Sequence, residues 1–339
     1  MGPFRLILFR MQKIVVIGGS AGSIDALKVI LNGLPPDFPA AVLVVVHVGA
    51  RHSVLPSLLS RCASLPVRHA AQGELIVPGE VLVAPPDLHL TVAVDGERRF
   101  AQLSRGPKEN HARPAIDPLF RSAAAACGTD AIAVVLSGFL DDGSVGLQAI
   151  KARGGVAVVQ DPQDAEVPDM PANALQHAAV DLVQRTADIA STLVALLQRE
   201  QVAPDNEPQD WIAVENRMFD EGAAMKELDQ IGSRTALTCP ECGGAIWEIR
   251  HAQPLRYRCH TGHAFTARVL EALQVGEAEE ALWAAVRALH EQEQLYREMH
   301  RKLQQGDAAG DYLHKAEQAA THAQLLRDMI ATRMQNGPP

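Results

Sequence analysis

Short unbroken apolar runs recur through the first part of the chain, each bounded by glycine, proline or polar residues. Between them, apolar residues fall three and four positions apart. The runs at 14–18, 41–46, 80–84, 131–136 and 156–159 are too continuous to alternate and too short for helices, which predicts strands buried on both faces. Helical spacing marks 24–34, 54–60, 116–126, 146–153 and 188–198. Segments 90–94 and 99–103 flank Asp95-Gly96 and predict a hairpin. Strands alternating with helices predict an α/β fold with a doubly wound, mostly parallel sheet. The ligand crevice of such a sheet lies beyond the carboxyl ends of its strands.

Three polar residues fall at that edge. The first strand runs into Gly18-Gly19-Ser20-Ala21-Gly22-Ser23, a turn that exposes the serine hydroxyl where the next helix must begin. Free N–H groups of that helix can receive developing negative charge, and the same turn also suits an anion-binding loop. His47 directly follows the second strand, and Asp142 follows the strand at 131–136. A serine hydroxyl needs a base to become a nucleophile. His47 can supply it, and Asp142 can hold the imidazole tautomer.

The last third reads differently. Residues 201–210 form a polar, proline-containing linker, and 211–231 have an irregular helical pattern. Cys239-Pro240-Glu241-Cys242 and Cys259-His260-Thr261-Gly262-His263 then offer two ligand pairs around a short apolar stretch. Cys239, Cys242, Cys259 and His263 suit one tetrahedral Zn²⁺, with His260 the alternate fourth ligand. Four protein ligands leave no open position, so the expected role of the ion is structural and catalysis needs no cofactor. From Thr266 onward, three-four spacing on both sides of Gly306-Asp307-Ala308-Ala309-Gly310 predicts an antiparallel helical hairpin. The expected organisation is an N-terminal extension at 1–10, with Met1 and Met11 both available as starts, and a catalytic domain at 11–200. A linker and helix at 201–235, a zinc-ribbon-like segment at 236–265 and a helical hairpin at 266–335 complete it.

Composition narrows the classes. A formal net charge of −9 argues against nucleic acid as the partner. The chain shows no membrane-length apolar run and no complete signal-peptide pattern, which predicts no membrane insertion. Five cysteines, three of them clustered with histidine, suit a reducing cytoplasm rather than a disulfide scaffold.

Several separated motifs carry a resemblance. Ile17-Gly18-Gly19-Ser20-Ala21-Gly22, Val44-Val45-Val46-His47, the segment from Asn110-His111-Ala112-Arg113-Pro114 to Phe120, and Val134-Val135-Leu136-Ser137-Gly138 with Asp142-Gly143 and Gly146 follow in order. Over roughly residues 11–198 the chain resembles the CheB-type protein-glutamate methylesterases. The resemblance implies a Ser20 nucleophile, a His47 base and an Asp142 partner. It also implies hydrolysis of glutamate γ-methyl esters on receptor signalling helices in chemotaxis-type signalling, with glutamine deamidation as a related activity. Ala21, Gly22, Arg113 and Phe139 are the expected oxyanion or substrate contacts. Two departures fall on that side of the site: Ala21-Gly22-Ser23 stands where the family has threonine and two glycines, and Phe139-Leu140 where it has methionine and glycine. No receiver-like segment is read ahead of the catalytic half, so a separate response regulator or kinase is an expected partner. The alternative reading is a catalytically weak scaffold that recruits a signalling partner through the C-terminal zinc and helical region.

Overall fold

The computed structural model describes residues 13–49, 53–199, 211–221, 225–250, 252–303 and 307–335. The expected extension at 1–10 and linker at 201–210 lie outside the described residues.

Strand β1 (Ile14–Gly19) leads to helix α1 (Ser23–Gly33), β2 (Ala41–Val46) and the short α2 (Leu55–Leu59). Short strands β3 (Val67–His69), β4 (Glu74–Leu75) and β5 (Val81–Val83) precede the hairpin of β6 (His89–Asp95) and β7 (Arg98–Ser104). Helix α3 (Ile116–Cys127), β8 (Ala131–Val135), α4 (Ser144–Ala152) and β9 (Val156–Gln160) follow. Then come α5 (Asp169–His177), β10 (Leu182–Gln184) and α6 (Thr186–Gln198).

One seven-stranded sheet has the order β10-β9-β8-β1-β2-β5-β3, and every pairing in it is parallel. Its strands read as unbroken apolar runs because both faces are covered. Ile14 and Val16 pack with Leu119, Phe120, Leu147 and Met170 on one face. Val15 and Ile17 pack with Leu27, Ile30, Ile189 and Leu193 on the other. β1 lies at the centre, with β2 on one side and β8 on the other. The chain therefore reverses its direction of winding at β1, where the crevice of a doubly wound sheet opens.

Beyond the linker, the segment predicted as one helix at 211–231 is described as two, α7 (Trp211–Glu221) and α8 (Met225–Ile231). A four-stranded antiparallel sheet follows: β11 (Gly232–Thr238), β12 (Ala245–Ile249), β13 (Arg256–Cys259) and β14 (Ala264–Thr266). Chain compactness divides after Val269, so this ribbon belongs to the same unit as the α/β sheet. The second unit consists of most of α9 (Ala267–Leu303) together with α10 (Asp307–Gln335). Within it the Tyr296 and Tyr312 rings lie 6.2 Å apart, His300 Nδ1 bonds the Ala309 carbonyl at 2.8 Å, and Arg327 meets His290, as in an antiparallel hairpin. Among the described residues no helix is long and apolar enough to cross a membrane.

Candidate active site and metal centre

Gly19 of β1 is in register with Val46 of β2, so Ser20 and His47 each stand one residue beyond the same rung of the sheet. The His47 N–H bonds the Gly19 carbonyl at 3.3 Å. On the other side of β1, the Ser20 N–H is spent on the Ser137 carbonyl at 2.9 Å, which ties the turn to the loop after β8. Helix α1 begins at Ser23, one residue ahead of the predicted span and three beyond Ser20, and Gly22 before it has a φ of 74°. That left-handed backbone favours glycine. A side chain at Gly22 would also run into Glu166 and Ser137. Ser23 needs no such freedom; it is buried and its hydroxyl donates to the Ser20 carbonyl at 2.6 Å. The N–H groups of Ala21 and Gly22 make no hydrogen bond among the described residues and are the donors left at this turn.

The loop after β8 brings Asp142 under His47. His47 Nε2 donates to Asp142 Oδ2 at 2.8 Å, which leaves Nδ1 as the ring nitrogen outside that bond. The Asp142 side chain is only 3% exposed, and an isolated carboxylate at that depth would be costly. Its other partners make the charge tolerable. Oδ2 also accepts the Ile116 N–H at 2.7 Å, while Oδ1 accepts the N–H groups of Asp117 and Gly143 and Asn110 Nδ2. Ile116 and Asp117 open α3, so the carboxylate lies on a helix N-terminus. Burial pushes its pKa up, but the bonds from His47 and these donors outweigh burial and hold it below the ordinary carboxylate value.

Asn110 and Asp117 were not singled out by sequence reasoning. Asp117 Oδ1 accepts the N–H groups of Gly143 and Gly146 at 3.0 and 2.6 Å, and its Oδ2 accepts Asn110 Nδ2 at 3.0 Å. Burial and the neighbouring Asp142 charge raise the Asp117 carboxyl well above its ordinary value. The pair thus carries its negative charge on the member that faces His47. Their signal was present only in the family motif, since Asn110 and Asp117 lie far from Asp142 in sequence.

Ser137 Oγ donates to the Ala21 carbonyl at 2.8 Å and accepts the Val167 N–H at 2.9 Å, joining three loops beneath the turn. A Cβ on Gly138 would stand 2.7 Å from Ser20 Cβ and 2.1 Å from Met170 Sδ, so only glycine fits against the serine. Phe139, the next residue, is 61% exposed. Leu140 has a φ of 64°, which explains why glycine suits that position. Arg113, expected to line the cleft, is tied to Asp87 at 2.6 and 2.9 Å and to the Gly106 carbonyl at 2.9 Å. Buried His89 clamps the base of the same segment, with Nε2 on the Pro107 carbonyl at 3.0 Å and Nδ1 on the Ala115 N–H at 3.2 Å. Burial lowers its pKa to about 4, which keeps the ring in the neutral form this bonding requires.

A family model described as CheB methylesterase matches residues 15–193, and these include the strands and loops that carry Ser20, His47 and Asp142. The chain belongs to the CheB methylesterase family. It is thereby a hydrolase. A Leptospira interrogans relative, provisionally named protein-glutamate methylesterase/protein-glutamine glutaminase, is 40% identical over 185 residues, covering 54% of this chain and 94% of its own. Protein-glutamate methylesterase/protein-glutamine glutaminase 2 of Syntrophus aciditrophicus is 35% identical over 187 residues, and there the match spans 55% of this chain and 54% of that relative. The crystal structure of the Thermotoga maritima CheB methylesterase catalytic domain superposes with a TM-score of 0.53 at 34% identity, covering 55% of this chain and 98% of that one. This CheB-family chain therefore adds the ribbon and helices to a catalytic fold already seen in a solved relative.

In the ribbon, Cys239, Cys242, Cys259 and His263 place one ligand atom each within 4.8 Å of all the others. A tetrahedral ion with Zn–S of about 2.3 Å and Zn–N of about 2.0 Å separates sulfurs by roughly 3.8 Å and sulfur from nitrogen by roughly 3.5 Å. The sulfurs of Cys242 and Cys259 are 3.9 Å apart, and His263 Nδ1 is 3.7 and 3.4 Å from those of Cys239 and Cys259. The set fits zinc. His260 stands outside it, its ring against Gly244.

Proposed function

We propose that this chain hydrolyses glutamate γ-methyl esters on chemoreceptor-type signalling proteins in the cytoplasm, and that the same machinery deamidates glutamine side chains. The observation that carries the reading is the His47–Asp142 hydrogen bond of 2.8 Å, set one rung from Ser20 in a CheB fold. Ser20 Oγ attacks the ester carbonyl as His47 Nδ1 takes its proton, and Asp142 stabilises the imidazolium. The tetrahedral oxyanion faces the N–H groups of Ala21 and Gly22, a donor pair of the kind worth about 3 kcal/mol per member. Collapse expels methanol, protonated by His47, and leaves an acyl-serine. Water, deprotonated by His47, then releases the glutamate carboxylate and returns the proton to Ser20. With glutamine the leaving group is ammonia. Exposed Phe139 offers an apolar contact for the protein segment that carries the side chain.

Methanol release from a methylated receptor fragment tests the reading. Wild type is expected to release it, and Ser20→Ala to lose at least about a thousandfold in kcat. Equal release by both proteins rejects the nucleophile.

The ribbon residues Cys239, Cys242, Cys259 and His263 are proposed to hold a structural Zn²⁺, which would cross-link a segment with little apolar core of its own. Elemental analysis is expected to find zinc in the purified chain and to lose it in Cys239→Ser. Zinc-free wild type that takes up no added zinc removes this part of the proposal.

A further inference from the structure

The side-chain amide of Asn110 is read at both ends. Its Oδ1 accepts the backbone N–H of Thr266 at 3.1 Å, while its Nδ2 donates to Asp142 Oδ1 and Asp117 Oδ2, each at 3.0 Å. A backbone N–H can only donate, and an ionised Asp142 can only accept, so this pattern admits one orientation of the amide. Thr266 belongs to the ribbon: it ends β14, just past the ligand His263.

The ribbon grips the segment around Asn110 from both of its ligand turns. Ala264 bonds it in both directions, accepting the Asn110 N–H at 2.8 Å and donating to the Lys108 carbonyl at 3.3 Å. Glu241, between Cys239 and Cys242, accepts Lys108 Nζ at 3.1 Å and pairs with His111. Asn110 and His111 hold φ values of 51° and 61°. Two successive left-handed residues without glycine cost about 1–2 kcal/mol each, less for asparagine, and need outside contacts to persist.

We infer that the metal ribbon positions the Asp142 carboxylate through Asn110, so that occupancy of the four-ligand site is coupled to alignment of His47. With Cys239, Cys242, Cys259 and His263 drawn together, β14 presents the Thr266 N–H that fixes the amide. With the ligand set open, the arm at 108–111 loses its grip. The amide can then turn its oxygen toward Asp142, where it repels instead of bonding. Asn110 is a positioning residue; it touches no reacting atom. The inference rests on the esterase reading for what the aligned histidine does, but the alignment itself is a separate observable.

The test compares full-length wild type and Asn110→Ala, each zinc-loaded and chelator-stripped. Two readouts are taken: kcat and KM on a methyl ester, and the ¹⁵N resonance of His47. Stripping wild type is expected to lower kcat by on the order of tenfold to a hundredfold with little change in KM, and to move the His47 resonance. Loaded Asn110→Ala is expected to show most of that loss already, and stripping it to add little. Two independent, multiplying losses overturn the inference, as does a His47 resonance indifferent to both zinc and Asn110. If stripping unfolds the chain, the loaded Asn110→Ala protein decides alone: wild-type kcat and resonance there reject the coupling. Methanol release with an unresponsive resonance sinks the coupling and leaves the esterase standing. A responsive resonance without methanol release does the reverse.

Discussion

Leu140 stands where an ordinary side chain is least at home. Its φ of 64° belongs to the left-handed region, and its carbonyl is held there by Asn173 Nδ2 at 2.7 Å. Leu140→Gly removes the Cβ clash while giving back some unfolded-chain entropy, and is expected to stabilise the fold by up to about 1 kcal/mol in chemical denaturation. The neighbouring Asp141 is a second local conflict. It is fully buried, its Oδ1 accepts Thr266 Oγ1 at 2.7 Å, and among the described residues its Oδ2 has no hydrogen-bond partner. Burial raises its pKa from 3.8 to about 6. A carboxyl whose folded pKa lies above its unfolded value favours folding while protonated and loses that advantage as pH rises through the interval. Between pH 4 and pH 7, the unfolding free energy of Asp141→Asn should therefore gain about 2 kcal/mol relative to wild type. A difference that stays flat with pH would show Asp141 to be ordinary. Neither conflict could be read from composition. Asp141 and Asp142 look alike in sequence, and it is His47 together with the α3 N-terminus, reaching Asp142 and not Asp141, that sets their charges apart.

At the scale of elements, what was legible followed from burial on both faces. β1, β2, β8 and β9 form the middle of the sheet, and their unbroken valine and isoleucine runs placed Ser20, His47 and the Asp142 loop at one edge. The elements that escaped notice lie at the margins. β3 and β10 are three residues each at the two ends of the sheet, too short for a period to register. α5 carries Pro171 in its first turn and buries chiefly Met170, Asn173 and Ala174, so its apolar stripe is faint. The turn at Ser20 was legible as a turn but not in detail. The direction of its N–H groups depends on Ser137 and Glu166, which arrive from distant loops. The four residues of the candidate metal site were the easiest to see because their spacing is local. Asn110 was not, because its three partners come from β14, α3 and the loop after β8.

For the molecule as a whole, the join between catalytic sheet and ribbon buries a cluster of charges beside its backbone bonds. Arg121 from α3 and Arg258 from β13 share Glu109 at 2.9 and 3.1 Å, and Glu215 from α7 receives Arg256 at 2.7 Å and the other two at 3.4 and 3.5 Å. Arg121 and Arg258 are no more than 2% exposed and both glutamates are 4% exposed, so each charge depends on the others for its solvation. Burial pushes the Glu109 carboxyl up, but Arg121 and Arg258 more than reverse this and hold it below its ordinary value. Arg258→Met strips one cation from two buried carboxylates and is expected to cost about 3 kcal/mol, read as a lower Tm. An unchanged Tm would mean that the join is held by something else.

That join has a consequence for how such an extension is inherited. A guanidinium meets a carboxylate along its own plane, so two arginines from different elements that share one oxygen of Glu109 restrict how the ribbon can seat. A greasy seam tolerates slippage and piecemeal drift; this one behaves as a keyed coupling whose teeth must be recut together. A ribbon transplanted from another chain could bring every metal ligand and still not mate. Loss of a single tooth would leave four well-spaced cysteine and histidine ligands on a ribbon that no longer seats.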